Sequence, residues 1–396
     1  MRNQLTVDAN DWCELNAKKS KEMTNVDTTT VKRRRKWGLG LAPALVFTLV
    51  LTACGGAAEG NREAAIVSED QHRLYEDAVK AGGRINLFIG TSANKDTDLL
   101  IDRFHETFPD LTVEYVAGTG NEVTERLLTE KRSGLDNADA LLVAGISTFE
   151  PVSKEGFLAD FVPEDAELFS DDGIHLENQA YSFGGQYNGV CYNPNNVTEE
   201  EAASLRTYDG WIDPAWKGRA AIVNADGSIY RRGLSYWLYQ DEELGQRWLE
   251  GLAALDPTSF SSGNVVVAQV IAGEFDLVYN VATHYGARAH REGAPLECVT
   301  GERAPYSTFA AGVVAEAPNS AGGQLFTNWL FSEAGQAAVQ ETWAFSSLRD
   351  GFETPVIDAD WWQVPEDPRV IDEDVVNSRH KELVDTFNST FRGAKG

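Results

Sequence analysis

Sulfur is scarce in this chain: 396 residues hold four cysteines and two methionines. No cysteines stand at the spacing of a zinc site, which argues against a structural zinc module. Catalytic signatures are missing as well. There is no Gly-x-Ser-x-Gly elbow, no His-Glu-x-x-His pair and no Gly-x-x-x-x-Gly-Lys phosphate loop. His105-Glu106 meets Pro109 where a second histidine would have to stand, so the pair reads as solvated helix surface. Basic residues are few, 34 against 61 acidic, and the net charge is −27. Such a surface repels nucleic acid and anionic lipid, so no nucleic-acid partner and no peripheral membrane role are expected.

Long apolar runs are also rare, and the one present has a clear context. Lys32, Arg33, Arg34, Arg35 and Lys36 precede an uncharged stretch from Trp37 to Ala53. A basic block, an apolar run and a small residue make a secretory signal, so residues 1–53 are read as removed. The run is close to the shortest that spans a bilayer, and Gly38, Gly40 and Pro43 interrupt it. Leu51-Thr52-Ala53-Cys54 resembles the lipobox of bacterial lipoproteins. That resemblance implies that Cys54 is acylated and becomes the new N-terminus, with several chains giving stable attachment. The expected location is therefore the outer face of the cell membrane, or the periplasmic side in a Gram-negative cell. Membrane contact is expected only through the lipid anchor. Met1 and Met23 both precede the basic block, which leaves Met23 open as the true start. Cys191 and Cys298 then remain in predicted strands, and a disulfide or two buried thiols are both open.

From Gly55 to Glu69 the chain is small, polar and charged, and residues 54–70 read as a tether. Helical spacing then runs from Gln71 to the Gly82-Gly83 stop, followed by an apolar strand from Arg84 to Ile89. A helix over Leu99 to Phe108, a strand over Leu111 to Val116, a helix from Glu122 and a strand over Ala138 to Val143 complete the pattern. This β-α-β-α-β order predicts a mainly parallel sheet with helices on both faces. Sheets of this kind bind ligands at the carboxyl ends of their strands. The loops there are small and hydroxyl-rich: Thr91 and Ser92, then Thr119, Gly120 and Asn121, then Ser147. Each fits an anion at a helix start and fits ordinary turn chemistry nearly as well.

The second half is less regular. Strands are expected at Ala220 to Val223, Phe275 to Tyr279 and Thr308 to Glu316. Long helices are expected at Tyr230 to Leu255 and Ala321 to Trp343, with others at Val265 to Ala272 and Asp374 to Phe391.

Five segments, in order, resemble the type II periplasmic binding proteins, and within them the ferric-iron ABC binding proteins and their relatives. They are Leu74 to Ala78 before Gly82-Gly83, Asn188 to Pro194, Asp213 to Gly218, Ile271 to Asp276, and Ala317 to Asn319 with Trp329 to Gln336. The resemblance covers Leu74 to Arg349. It implies an α/β fold of two Rossmann-like lobes joined by hinge strands, closing as a Venus flytrap. The first lobe is expected over residues 71–187 and 309–348, the second over 188–308 and 349–396. Gly184 and Gly185 suit a hinge.

The same resemblance implies a monomeric solute-binding lipoprotein of an ABC importer, with permease and ATPase partners. No catalysis and no resident cofactor are expected. A sensory lipoprotein that signals to a membrane receptor and a lipid-anchored hydrolase are the alternatives. In iron-binding members two adjacent tyrosines hold Fe(III); here His284-Tyr285 stands at that place, shifted by about one residue. Tyr285, His284 and Glu122 form the metal set if Fe(III) is the cargo. An organic or oxyanion solute is the other reading, because loss of one hard ligand weakens an iron site. Asn280 and Thr283 flank the pair, and Gly227, Ser228 and Arg231 follow a second-lobe strand, with Arg232 next. Tyr187, Tyr230 and Trp237 are candidates for stacking on a ring, though aromatics at helical spacing more often fill a core.

Overall fold

A computed structural model of the chain describes residues 68–91, 93–169, 173–225, 230–352, 356–363, 365 and 367–393. The predicted signal, Cys54, Ser92, Gly227 and Ser228 lie outside the described residues, as do the side chains of Tyr230 and Arg231.

The first half alternates as its pattern predicts. Helix α1 (Glu69–Lys80) leads into β1 (Arg84–Ile89), α2 (Lys95–Thr107), β2 (Thr112–Ala117), α3 (Gly120–Arg132) and β3 (Ala140–Ala144). Strand β1 pairs in parallel with both β2 and β3. Successive side chains of a strand face opposite ways, so Ile85, Leu87 and Ile89 enter one core and Phe88 another. A near-continuous apolar run is what a strand covered on both faces requires. Asp139, just before β3, is a buried carboxylate. It accepts backbone N–H groups of Asn86 and Asn319, each at 2.7 Å, which ties the sheet to the helix that follows Asn319. Burial raises its carboxyl pKa.

Strand β4 (Ala180–Tyr192) is buried along its whole length and leaves the first half-sheet for the second. The second contains β5 (Ala220–Val223), α4 (Tyr230–Ser235), α5 (Gln246–Ala254), β6 (Thr258–Phe260), α6 (Gly263–Ile271), β7 (Leu277–Ala282), α7 (His284–Glu292) and β8 (Glu297–Val299). Strand β9 (Arg303–Val313) returns, and α8 (Ser320–Phe331) and α9 (Glu333–Trp343) cover the first half-sheet. The chain ends with β10 (Asp367–Val370), α10 (Glu373–Ser378) and α11 (His380–Gly393).

The strand order is β2-β1-β3-β9-β4-β7-β5-β6. Residues 181–187 of β4 pair with β9, and residues 188–192 pair with β7. One sheet thus runs through two lobes with separate cores. The first-lobe core holds Phe104, Phe183, Phe326 and Trp329. The second holds Trp211, Trp237, Trp248 and Tyr279, so Trp237 is a core residue and does not line the cleft described below. Gly185 is required for space: a Cβ there would lie 2.1 Å from the Ser307 carbonyl oxygen on the neighbouring strand.

Three expected helices are broken. Tyr230–Leu255 is interrupted because Asp241 leaves the helix for Arg303, whose guanidinium donates to both its oxygens at 2.5 and 3.0 Å. The stretch from Ala321 to Trp343 breaks at Ser332, which turns extended and caps α9 through Gly335 N–H at 3.2 Å. The last helix breaks at Arg379, between α10 and α11. Cys191 and Cys298 face each other across β4 and β8 and form a disulfide. No helix among the described residues is long and apolar enough to cross a membrane.

Candidate functional site

Between the half-sheets lies a cavity of about 650 Å³. Its floor is made by the two long strands, through Gln186 of β4 and Ser307, Thr308 and Phe309 of β9.

The first-lobe wall is made of loops at strand ends, where an open α/β sheet exposes them. Thr91, Thr119, Gly120, Asn121, Glu122 and Ser147 all line the cavity. Asn94 caps α2 by accepting the N–H groups of Asp96 and Thr97 at 3.1 and 3.0 Å. Thr119 caps α3 in a reciprocal box: Glu122 accepts from Thr119 N–H at 2.8 Å and from its hydroxyl at 2.9 Å. Those bonds, the backbone one foremost, hold the Glu122 carboxyl below its ordinary pKa. Glu122 is thereby engaged in its own helix.

The second-lobe wall is dominated by α7. His284 and Tyr285 line the cavity at its first turn, with ring centroids 4.3 Å apart. His284 is partly exposed as a residue, yet its Nδ1 is sealed from solvent and has no hydrogen-bond partner among the described residues. Burial first, and the Arg288 charge second, push its pKa down to about 3. One turn along, Arg288 lies over the Tyr285 ring, 5.4 Å from its centroid, and 3.9 Å from Asp96 of the other lobe. The same helix sends Glu292 to Lys95 at 2.8 Å and Arg291 to the Gln340 carbonyl at 2.7 Å. Arg232 donates to Glu373 at 2.7 Å and to the first-lobe carbonyl of Ala144 at 3.3 Å.

Three expected site residues stand elsewhere. Tyr187 and Thr283 face a small cavity beside Cys298, Trp361 and Trp362. Asn280 is fully buried at φ +60°, its amide donating to the Val223 carbonyl at 2.8 Å. Its place on β7 puts it in the sheet and out of the cleft wall. Among the cleft-lining residues outside the expected set are Gln186, Arg288, Trp343 and Glu373. Arg288 carried a readable cue, since four residues after His284 is the same helix face. Gln186 and Trp343 carried none, because strand pairing and the break at Ser332 decide where they point. Among the described residues no group of three His, Cys, Asp or Glu side chains is placed to hold a metal ion.

A cleft floored by two crossing strands and walled by helix starts from both sides defines a two-lobed α/β binding protein. The chain belongs to the bacterial extracellular solute-binding protein family, whose pattern it matches over residues 91–337. It is 27% identical over 278 residues to iron uptake protein A1 of Synechocystis, covering 64% of this chain and 72% of that protein. Among solved structures it is similar to iron-bound HitA of Pseudomonas aeruginosa, with TM-score 0.60 and 18% identity over 78% of this chain and 99% of that one. A Trichodesmium protein solved with iron and citrate gives TM-score 0.58 at 19% identity, over 78% of this chain and 99% of that one. An ABC-transporter substrate-binding protein from Agrobacterium tumefaciens gives 0.61 at 16%, over 78% and 94%. At these identities the structural likenesses establish the fold.

Proposed function

We propose that this chain is the extracytoplasmic receptor of an ABC importer. It is held at the membrane by acylated Cys54, closes its lobes over one small solute and delivers it to a permease. The cavity of about 650 Å³ carries this reading, since both lobes line it and its size suits a small molecule. Hinge closure about the two long strands would let one ligand bridge both walls. Binding without catalysis is supported by how the cleft groups are committed. Glu122 serves its own helix cap, Glu373 pairs with Arg232, and His284 is too acidic to serve as a base near neutral pH.

A second reading, Fe(III) as cargo, is favoured by the names of the relatives and by one observation. Tyr285 lines the cleft beside His284, so a phenolate and an imidazole could reach one ion. The test is a thermal-shift screen of the chelator-treated protein against ferric nitrilotriacetate and chemically diverse small solutes. A ligand at a hundred times its Kd adds about 2.7 kcal/mol to stability, a clear rise in Tm. A rise with iron, a visible absorbance band and loss of both in Tyr285→Phe would establish iron. A rise with an organic solute alone would establish an organic cargo. A protein unmoved by any solute would contradict the receptor reading.

A further inference from the structure

The cleft holds groups that a bare metal ion does not use. Gln186 is 94% buried by its 6% exposure and lines the floor, yet its side-chain oxygen has no hydrogen-bond partner among the described residues. Nδ1 of His284, on the second-lobe wall, is in the same position. A buried polar atom left unpaired costs free energy, so both atoms call for a partner that the ligand brings as the lobes close on it. Aromatic rings stand on both sides: Tyr285 on the second lobe, Phe309, Trp343 and Phe345 on the first. Phe309, Trp343 and Phe345 pack together with centroids 5.4 to 5.5 Å apart, a stiff apolar wall.

The charges divide in a particular way. Of the three cleft carboxylates, Glu122 folds back on Thr119, Glu373 is neutralised by Arg232, and Asp96 faces Arg288 across the cleft. Arg288 is the loosely held cation, with Asp96 at 3.9 Å. It projects from α7, whose first turn carries no side-chain cap. A helix start with an arginine one turn in favours an anionic group.

We propose that the cleft takes a small organic anion with a flat, unsaturated body. This rests on the receptor reading and names its ligand class. The anionic group sits at the start of α7 against Arg288, and the body lies between Tyr285 and the Phe309–Trp343 wall. A polar edge of the body donates to the Gln186 oxygen.

The test is calorimetric titration of the full chain, purified in mild detergent and stripped of metal. Five probes are used. 4-Hydroxyphenyl phosphate and 4-hydroxybenzoate are flat anions with a donating hydroxyl edge, citrate is an anion without a flat body, putrescine is an organic cation, and ferric nitrilotriacetate carries iron. At least one flat anion should bind about tenfold or more tightly than citrate, the difference expected of a stacked body. Arg288→Gln should weaken that binding about tenfold or more, as loss of a charge-assisted contact does. Gln186→Leu should also weaken it, while the free protein melts no lower, because leucine removes an unpaired oxygen without breaking a bond. Binding of iron or putrescine with neither flat anion bound would overturn the ligand class and leave the receptor reading standing. Flat-anion binding unaffected by both variants would overturn the placement. No heat from any probe would overturn the class and the receptor reading together.

Discussion

In the first lobe, the two long helices that open onto the cleft bring their own caps, while the short turn at Ile146–Thr148 has none. Asn94 serves α2, and Thr119 with Glu122 serves α3, so the helix-start amides there are largely satisfied before a ligand arrives. In the second lobe, α7 starts at His284 with no side-chain cap, and Arg288 follows one turn later. Both walls come from the same strand–loop–helix unit, but of these three helices α7 alone starts without a side-chain cap. The difference fits the ligand placement proposed above, with the anion-binding group on the second lobe.

The largest expected effect comes from the fastening behind α7. The disulfide joins residues 107 apart in sequence, and Cys191, Cys298 and Tyr285 share one core cluster. The described first-lobe residues contain no cysteine. Replacing both cysteines by serine should lower stability by about 2–5 kcal/mol, as for other secreted domains. Denaturation followed at the second-lobe tryptophans Trp211, Trp237 and Trp248 would measure it. An unchanged midpoint would mean that α7 is held by packing alone.

A smaller effect follows from His284. Its folded-state pKa is lowered to about 3, while an unfolded histidine titrates near about 6.5. Between those values the unfolded chain takes up a proton that the folded chain refuses. Stability therefore falls as pH drops from about 6.5, by at most about 1.4 kcal/mol per unit from this group. Above that range the contribution is constant. In His284→Asn the slope between pH 7 and pH 5 should flatten, measured by urea midpoints at each pH. Equal slopes in the two proteins would show that the ring gains solvent in the free state.

The two lobes were not equally legible in the sequence. First-lobe strands and cleft loops could be read because strand, loop and cap follow one another along the chain. The observed β3 at Ala140–Ala144 sits within two residues of its expected start, and the loops that follow the strands place Thr119 and Ser147 on the cleft wall. In the second lobe, long-range partners override local pattern. Arg303 pulls Asp241 out of a helix that spacing alone would continue. Asn280 and Thr283, next to the His284-Tyr285 pair in sequence, are taken up by the sheet and by the Tyr187 carbonyl, which accepts Thr283 N–H at 2.9 Å. The cleft floor was illegible because Gln186 and Thr308 are brought together only by β4 pairing with β9.

Recognition of the solute is proposed above to reside at the start of α7. It is tested most directly by amide hydrogen exchange of the full chain with and without a saturating solute that raises its Tm. Residues 284–288 are expected to gain the most protection, because a solute seated at this helix start shields that turn from solvent. Residues 120–124, already capped by Thr119, should change little. Protection concentrated on α3 with α7 unchanged would contradict it.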